Sequence, residues 1–241
     1  MENTSRATRL FIIAMGLCGA VALTLGFFKA HPMHGLQFVT LLVIGIVGSR
    51  LKVKLPGLTG NMSVNLPFLL IATLELSLFE ALLIALASTM AQCLPSKKGK
   101  PHGVQVLFNL STMAVAVAAA EFVAHHPIGF AGGLSATARL VLASATFFLL
   151  QTGPVATIIS LTEGGQVVQI WRGIVRLSFP YYVLSAGVTS IAETASRAWG
   201  WEIPVLVMLT MYGVYRSYVS YFGKMTVHVP AMAMAKAAAS R

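Results

Sequence analysis

The chain has 241 residues, 56% of them hydrophobic and only 10% charged, whereas soluble domains carry roughly 25% charged residues, so a bilayer is the expected environment. A net charge of +10 would suggest nucleic acid for a soluble protein. With mean hydropathy +0.79 it reads instead as basic loops gathered on one side of a membrane, and no nucleic-acid partner is expected.

In chain order, apolar runs at 9–28, 36–49, 66–78, 79–95, 104–124, 136–161, 179–198 and 203–222 approach or reach the ~20 residues that cross a ~30 Å hydrocarbon core. The fold class expected is an all-α polytopic membrane protein of about eight transmembrane helices, with the lipid bilayer as its first partner. Residues 1–8 form an N-terminal segment, 9–222 one transmembrane domain and 223–241 a basic tail. The first run is too long for a signal peptide and lacks a small-residue cleavage site, so it is expected to be retained. With the N-terminus inside, every Lys and Arg except Lys29, Arg139 and Arg197 falls on the cytoplasmic side, which predicts that both termini are cytoplasmic. Cys18 and Cys93 both lie in apolar runs; they make no disulfide framework and read as buried, inert thiols.

Between the second and third runs the pattern changes. Leu51, Val53 and Leu55 alternate with Lys52 and Lys54, and Asn61, Ser63 and Asn65 alternate with Met62, Val64 and Leu66. Period two with the turn signal Pro56-Gly57 between the halves fits a small cytoplasmic hairpin; an irregular loop is the competing reading. The next stretch carries Glu75 and Glu80. Five residues put them about 140° apart on one helix, which would push one carboxylate towards lipid. Two short helices meeting near Ser77 are therefore expected, with Glu80 at the solvated outer rim and Glu75 as the costly intramembrane acid.

Further along, Gly16/Ala20, Gly45/Ser49 and Ala116/Ala120 are small enough for close helix contact. Pro154 is expected to kink the sixth span. In residues 165–178, Gln166, Gln169, Arg172 and Arg176 share one face and Trp171 lies with the apolar residues opposite, the pattern of an interfacial amphipathic helix. An early start of the seventh span is the alternative. Tyr212, Tyr215, Tyr218 and Tyr221 read as an interfacial aromatic belt rather than a ligand site.

The intramembrane polar groups Glu75, Asn109, Gln151 and Glu193 are the ligand or pocket candidates, expected to converge towards the outer side; Ser111, Thr112, Thr152, Thr189 and Ser190 accompany them. Glu121 and His125, with His31 and His34 in another outer loop, have a spacing that metal pairs also show. Proton sensing is the preferred reading, because histidine changes charge near neutral pH, and no metal or other cofactor is expected. No P-loop, Rossmann glycine pattern, G-x-S-x-G or H-E-x-x-H occurs, so catalysis by this chain is not expected.

The stretch LKVKLPGLTGNMSVNLPFLLIATLELSLFEALLIALASTMAQCL, followed by KPHGVQVLFNLSTMAVAVAAAE, resembles the membrane-associated sensor (MASE-type) domains of bacterial signalling proteins. The likeness extends more weakly through Ala156–Tyr182. It implies a bacterial inner-membrane sensor, which in that family precedes a cyclic-di-nucleotide enzyme of the HD-GYP or GGDEF type. No signature of either follows Tyr221, and Pro230 is expected to interrupt a straight signalling helix. The resemblance therefore implies a sensor acting through a cytoplasmic signalling partner, or a piece of a longer protein. The chain is also similar to substrate-binding subunits of energy-coupling-factor vitamin transporters. Their usual six spans and Ala-x-x-x-Ala motif are not matched by eight runs and Gly16-x-x-x-Ala20. A structural subunit among other membrane subunits is the third alternative.

Overall fold

The computed structural model describes residues 6–29, 35–54, 61–94, 103–126, 135–199 and 202–239. Among them the apolar runs fold as α1 (Arg6–Phe28), α2 (Gly35–Arg50), α3 (Leu66–Glu75), α4 (Leu78–Cys93), α5 (Gly103–His125), α6 (Ala136–Glu163), α7 (Val167–Trp199) and α8 (Ile203–Ala239). Four of these, α1, α5, α6 and α7, are long and apolar enough to cross a membrane, while α2, α3 and α4 are shorter apolar helices. The ten residues of α3 rise only about 15 Å, half of a ~30 Å core.

The period-two stretch is a hairpin. Strands β1 (Lys52–Lys54) and β2 (Asn61–Ser63) pair antiparallel in the register Lys52↔Ser63, Val53↔Met62 and Lys54↔Asn61. Pro56 and Gly57 lie outside the described residues. Val53 and Val64 are buried, and so are Ser63 and Asn65 of the opposite phase, so both faces of the chain leading into α3 are covered. Arg50 and Lys52 donate to the Ala91 and Gln92 carbonyls at the end of α4, placing positive charge where the helix dipole is negative.

Contacts define two ends of the bundle. Thr8 donates to the Leu161 carbonyl (3.3 Å), so α1 begins where α6 finishes. At the opposite end, Gly26 of α1 abuts Leu82 of α4, and Phe27 meets Phe79. Between these ends α3 is enclosed: every residue from Leu66 to Thr73 is buried, with α2, α4, α5 and α7 packed around it. Lipid tails are as apolar as leucine, so this enclosure rests on close packing and hydrogen bonds rather than on escape from water.

The small residue that matters most on α1 is not the expected pair. Gly16 has open space around it and Ala20 is exposed, because that face of α1 points away from the bundle. The buried stripe is Gly19, Ala22 and Gly26, and a Cβ on Gly19 would lie 2.8 Å from the Ser111 Cα. Gly19→Ala is expected to cost about 1–3 kcal/mol, since backbone rather than a side-chain tip must yield. Gly16→Ala should leave stability unchanged or slightly raised. Reversible unfolding of both variants in lipid nanodiscs checks the pair. Cys18, expected to be buried, is likewise exposed on α1.

Two expected breaks are absent. α7 runs unbroken for 33 residues with Pro180 inside it, so 165–178 is not a separate interfacial helix. Proline is tolerated in such helices where neighbours satisfy the freed backbone groups. Gly164 (φ 83°) and Gly165 (φ 94°) occupy the left-handed region that glycine adopts cheaply, so α6 turns directly into α7. Arg172 and Arg176 are exposed as expected, but the Trp171 indole N–H donates to Thr152 Oγ1 (3.1 Å) on α6. Pro230 likewise does not end α8, which continues to Ala239.

Candidate functional site

The α3–α4 junction is encoded locally. Leu76 and Ser77 are extended (ψ 169° and 154°), and α4 then starts with a capping box. Ser77 Oγ and the Ser77 N–H both donate to Glu80 Oε2 (2.7 and 3.0 Å), and the Glu80 N–H donates to Ser77 Oγ (3.4 Å). These reciprocal bonds satisfy donors that a helix start leaves free. Two helices do meet at Ser77, as the five-residue spacing of the acids requires. Glu80, however, is 0% exposed rather than at a solvated rim: the turn is enclosed, and the carboxylate is satisfied by its own cap.

Glu75 ends α3 half-buried. Its Oε1 accepts from Ser196 Oγ (2.6 Å) on α7, and its Oε2 accepts from Gln37 Nε2 in the first turn of α2. One carboxylate therefore ties three helices, through bonds strengthened by charge. The Ser196 hydroxyl also lies 3.1 Å from the Glu193 carbonyl, and the Glu193 carboxylate is close enough to act on Glu75 electrostatically. On the α5 side, His125 Nε2 lies 3.3 Å from the Leu74 carbonyl, and Nδ1 lies 3.1 Å from the Glu121 carbonyl and 3.8 Å from Glu121 Oε1.

The four pocket candidates do not share one pocket. Glu75 and Glu193 come together. Asn109, in the second turn of α5, donates to Cys93 Sγ (3.7 Å) at the opposite end. Gln151 accepts from the Tyr182 hydroxyl on α7. Depth along each helix separates them. Thr152 and Thr189 are buried with partners of their own, Thr189 Oγ1 donating to the Pro67 carbonyl (3.4 Å). Asn65 is buried beside the hairpin, where its Oδ1 accepts from Ser63 Oγ (2.7 Å); of Asn61 only the backbone is described.

Sequence reasoning passed over Gln37, His125 as a partner of α3, and a stripe on α7. Tyr181, Ser185, Thr189 and Ser196 recur at spacings that keep one helical face, and that face meets α3. The Tyr181 hydroxyl accepts from the Leu66 N–H (3.4 Å) at the start of α3, Thr189 reaches Pro67, and Ser196 reaches Glu75 at its end. Tyr181 in turn packs against Tyr218 of α8, with ring centroids 6.4 Å apart; of the four tyrosines expected to form a belt, Tyr212 and Tyr221 are exposed, whereas Tyr215 and Tyr218 pack against the core. A groove of about 410 Å³ between α1 and α4, lined by Leu23, Phe27, Phe79 and Leu82 among others, is almost wholly apolar and separate from this polar seam.

No group of three or more metal-ligating side chains occurs among the described residues, and His31 and His34 lie outside them. Comparison of the chain with protein-family models, curated proteins and solved structures finds no match.

Proposed function

We propose that this chain is a non-catalytic sensor and relay module of the bacterial inner membrane, with eight spans and both termini cytoplasmic. In this reading α2 and α4 cross with local thinning of the bilayer. The extended residues Leu76 and Ser77 after α3 add to its short rise.

The observation that carries the proposal is the Glu75 tie. A costly carboxylate closes an enclosed ten-residue helix onto α7, which runs without interruption to the other end. A change at the α3–α4 junction would thereby move a rod rather than a loop. α8 is 37 residues long, about 55 Å of helix, and so extends beyond a ~30 Å core towards a cytoplasmic partner. The sequence resemblance to membrane-associated sensor domains points to a cyclic-di-nucleotide enzyme as that partner.

Chemical cross-linking in native membranes followed by purification and mass spectrometry tests this. A cyclic-di-nucleotide enzyme cross-linked to the cytoplasmic side supports the relay. Recovery of an ATPase pair, together with selective vitamin counterflow in proteoliposomes, would replace it with transport.

A further inference from the structure

We propose that His125 is a proton-controlled clamp on the end of α3, and that a proton is the stimulus this module reads. The inference rests on the relay reading for its output but on separate geometry for its input. Both ring nitrogens of His125 face backbone carbonyls, Nδ1 towards Glu121 (3.1 Å) and Nε2 towards Leu74 (3.3 Å). A carbonyl only accepts, and a neutral imidazole has one N–H, so only the imidazolium donates to both. The Leu74 carbonyl belongs to the last turn of α3, where helix carbonyls lack intrahelical donors and the dipole favours a cation. His125 is exposed and is the last residue of α5, where a spanning helix leaves the hydrocarbon, so protons reach it.

The charged groups around the clamp agree in sign. Glu121 Oε1 lies 3.8 Å from Nδ1 on the same helix. Glu75 follows Leu74 directly on α3, Glu193 on α7 acts on Glu75, and Glu80 caps α4 just beyond the turn. His126, the neighbouring histidine, instead stacks on Phe122 with centroids 4.6 Å apart. A cation at His125 therefore has the Glu121 carboxylate beside it, and its loss removes one of the two carbonyl bonds. Acid closes the clamp between α5 and α3. Loss of that proton opens it next to Glu75, the residue that holds α7, because the one remaining N–H is favoured on Nδ1, where both the carbonyl and the carboxylate of Glu121 face it.

Nuclear magnetic resonance on the full chain in nanodiscs tests this, with ¹⁵N-histidine for the ring and a ¹³C-leucine/¹⁵N-glutamate pair for the peptide. Leu74-Glu75 is the one Leu-Glu sequence in the chain, so that carbonyl resonance is unambiguous. The expected result is a Leu74 carbonyl shift that titrates with the His125 ring and is lost in His125→Gln, with the fold retained. A His125 ring that titrates while the Leu74 carbonyl stays constant would overturn the clamp. So would a carbonyl titration that persists in His125→Gln. Because this readout is local, it stands or fails whether or not α8 relays anything.

Discussion

Replacing Glu75 with Ala is expected to lower stability in nanodiscs by about 2–3 kcal/mol, while Glu75→Gln should cost under about 1 kcal/mol. Alanine removes the acceptor of both Ser196 and Gln37 at once. Neither donor is wholly stranded: Ser196 keeps the Glu193 carbonyl, and Gln37 is only half-buried in the first turn of α2, which holds the loss below the sum of two charged bonds. Glutamine retains an acceptor for Ser196, and the Gln37 amide is able to turn its oxygen towards the new NH₂. A double-mutant cycle of Glu75→Ala with Ser196→Ala should return a coupling of about 0.5–2 kcal/mol. Additive losses would mean that the carboxylate does not hold α7.

The second large effect is expected at the middle of α3. Phe68 is 0% exposed and lies against Gly48 of α2. In lipid the unfolded reference state keeps its apolar side chains in apolar surroundings, so the transfer contribution familiar from soluble proteins largely cancels. The cavity contribution stays. Removing roughly 100 Å³ at about 24 cal/mol per Å³ gives about 2.4 kcal/mol for Phe68→Ala. Phe28→Ala, 80% exposed at the end of α1, should change stability by less than about 0.5 kcal/mol. Equal losses from the two would contradict the placement of α3 at the centre of the bundle.

Much of the architecture was legible because it is written in short-range chemistry. The hairpin follows from alternation at 51–65, and the break at Ser77 follows from the angular separation of two acids. Most helix boundaries follow from apolar runs and the loops between them, but not the start of α7 or the end of α8. Tertiary placement was harder to read. Glu80 lies beside a turn, and turns usually meet water; here the turn is enclosed, and a capping box makes burial affordable. Pro180 signals a helix end in isolation, yet α7 continues through it. The pocket candidates were chosen by residue type, although Asn109 sits near the start of α5 and Glu75 at the end of α3, which separates them along the bundle axis. Gln37 was the quietest signal: a single amide in an apolar helix, whose partner lies 38 residues away. The stripe from Tyr181 to Ser196 was visible as a period. Only the packed bundle shows that it faces α3.

The central claim is that Glu75 at one end of the bundle sets the position of α7 and α8 at the other. Spin labels at Glu163→Cys and Ser220→Cys, both exposed sites on α6 and α8, in a chain with Cys18 and Cys93 replaced, measure it by pulsed electron resonance in nanodiscs. Glu75→Ala is predicted to displace or broaden the Glu163–Ser220 distance distribution, and Glu75→Gln to leave it as in the parent. A distribution unchanged by Glu75→Ala in a folded protein would contradict the account.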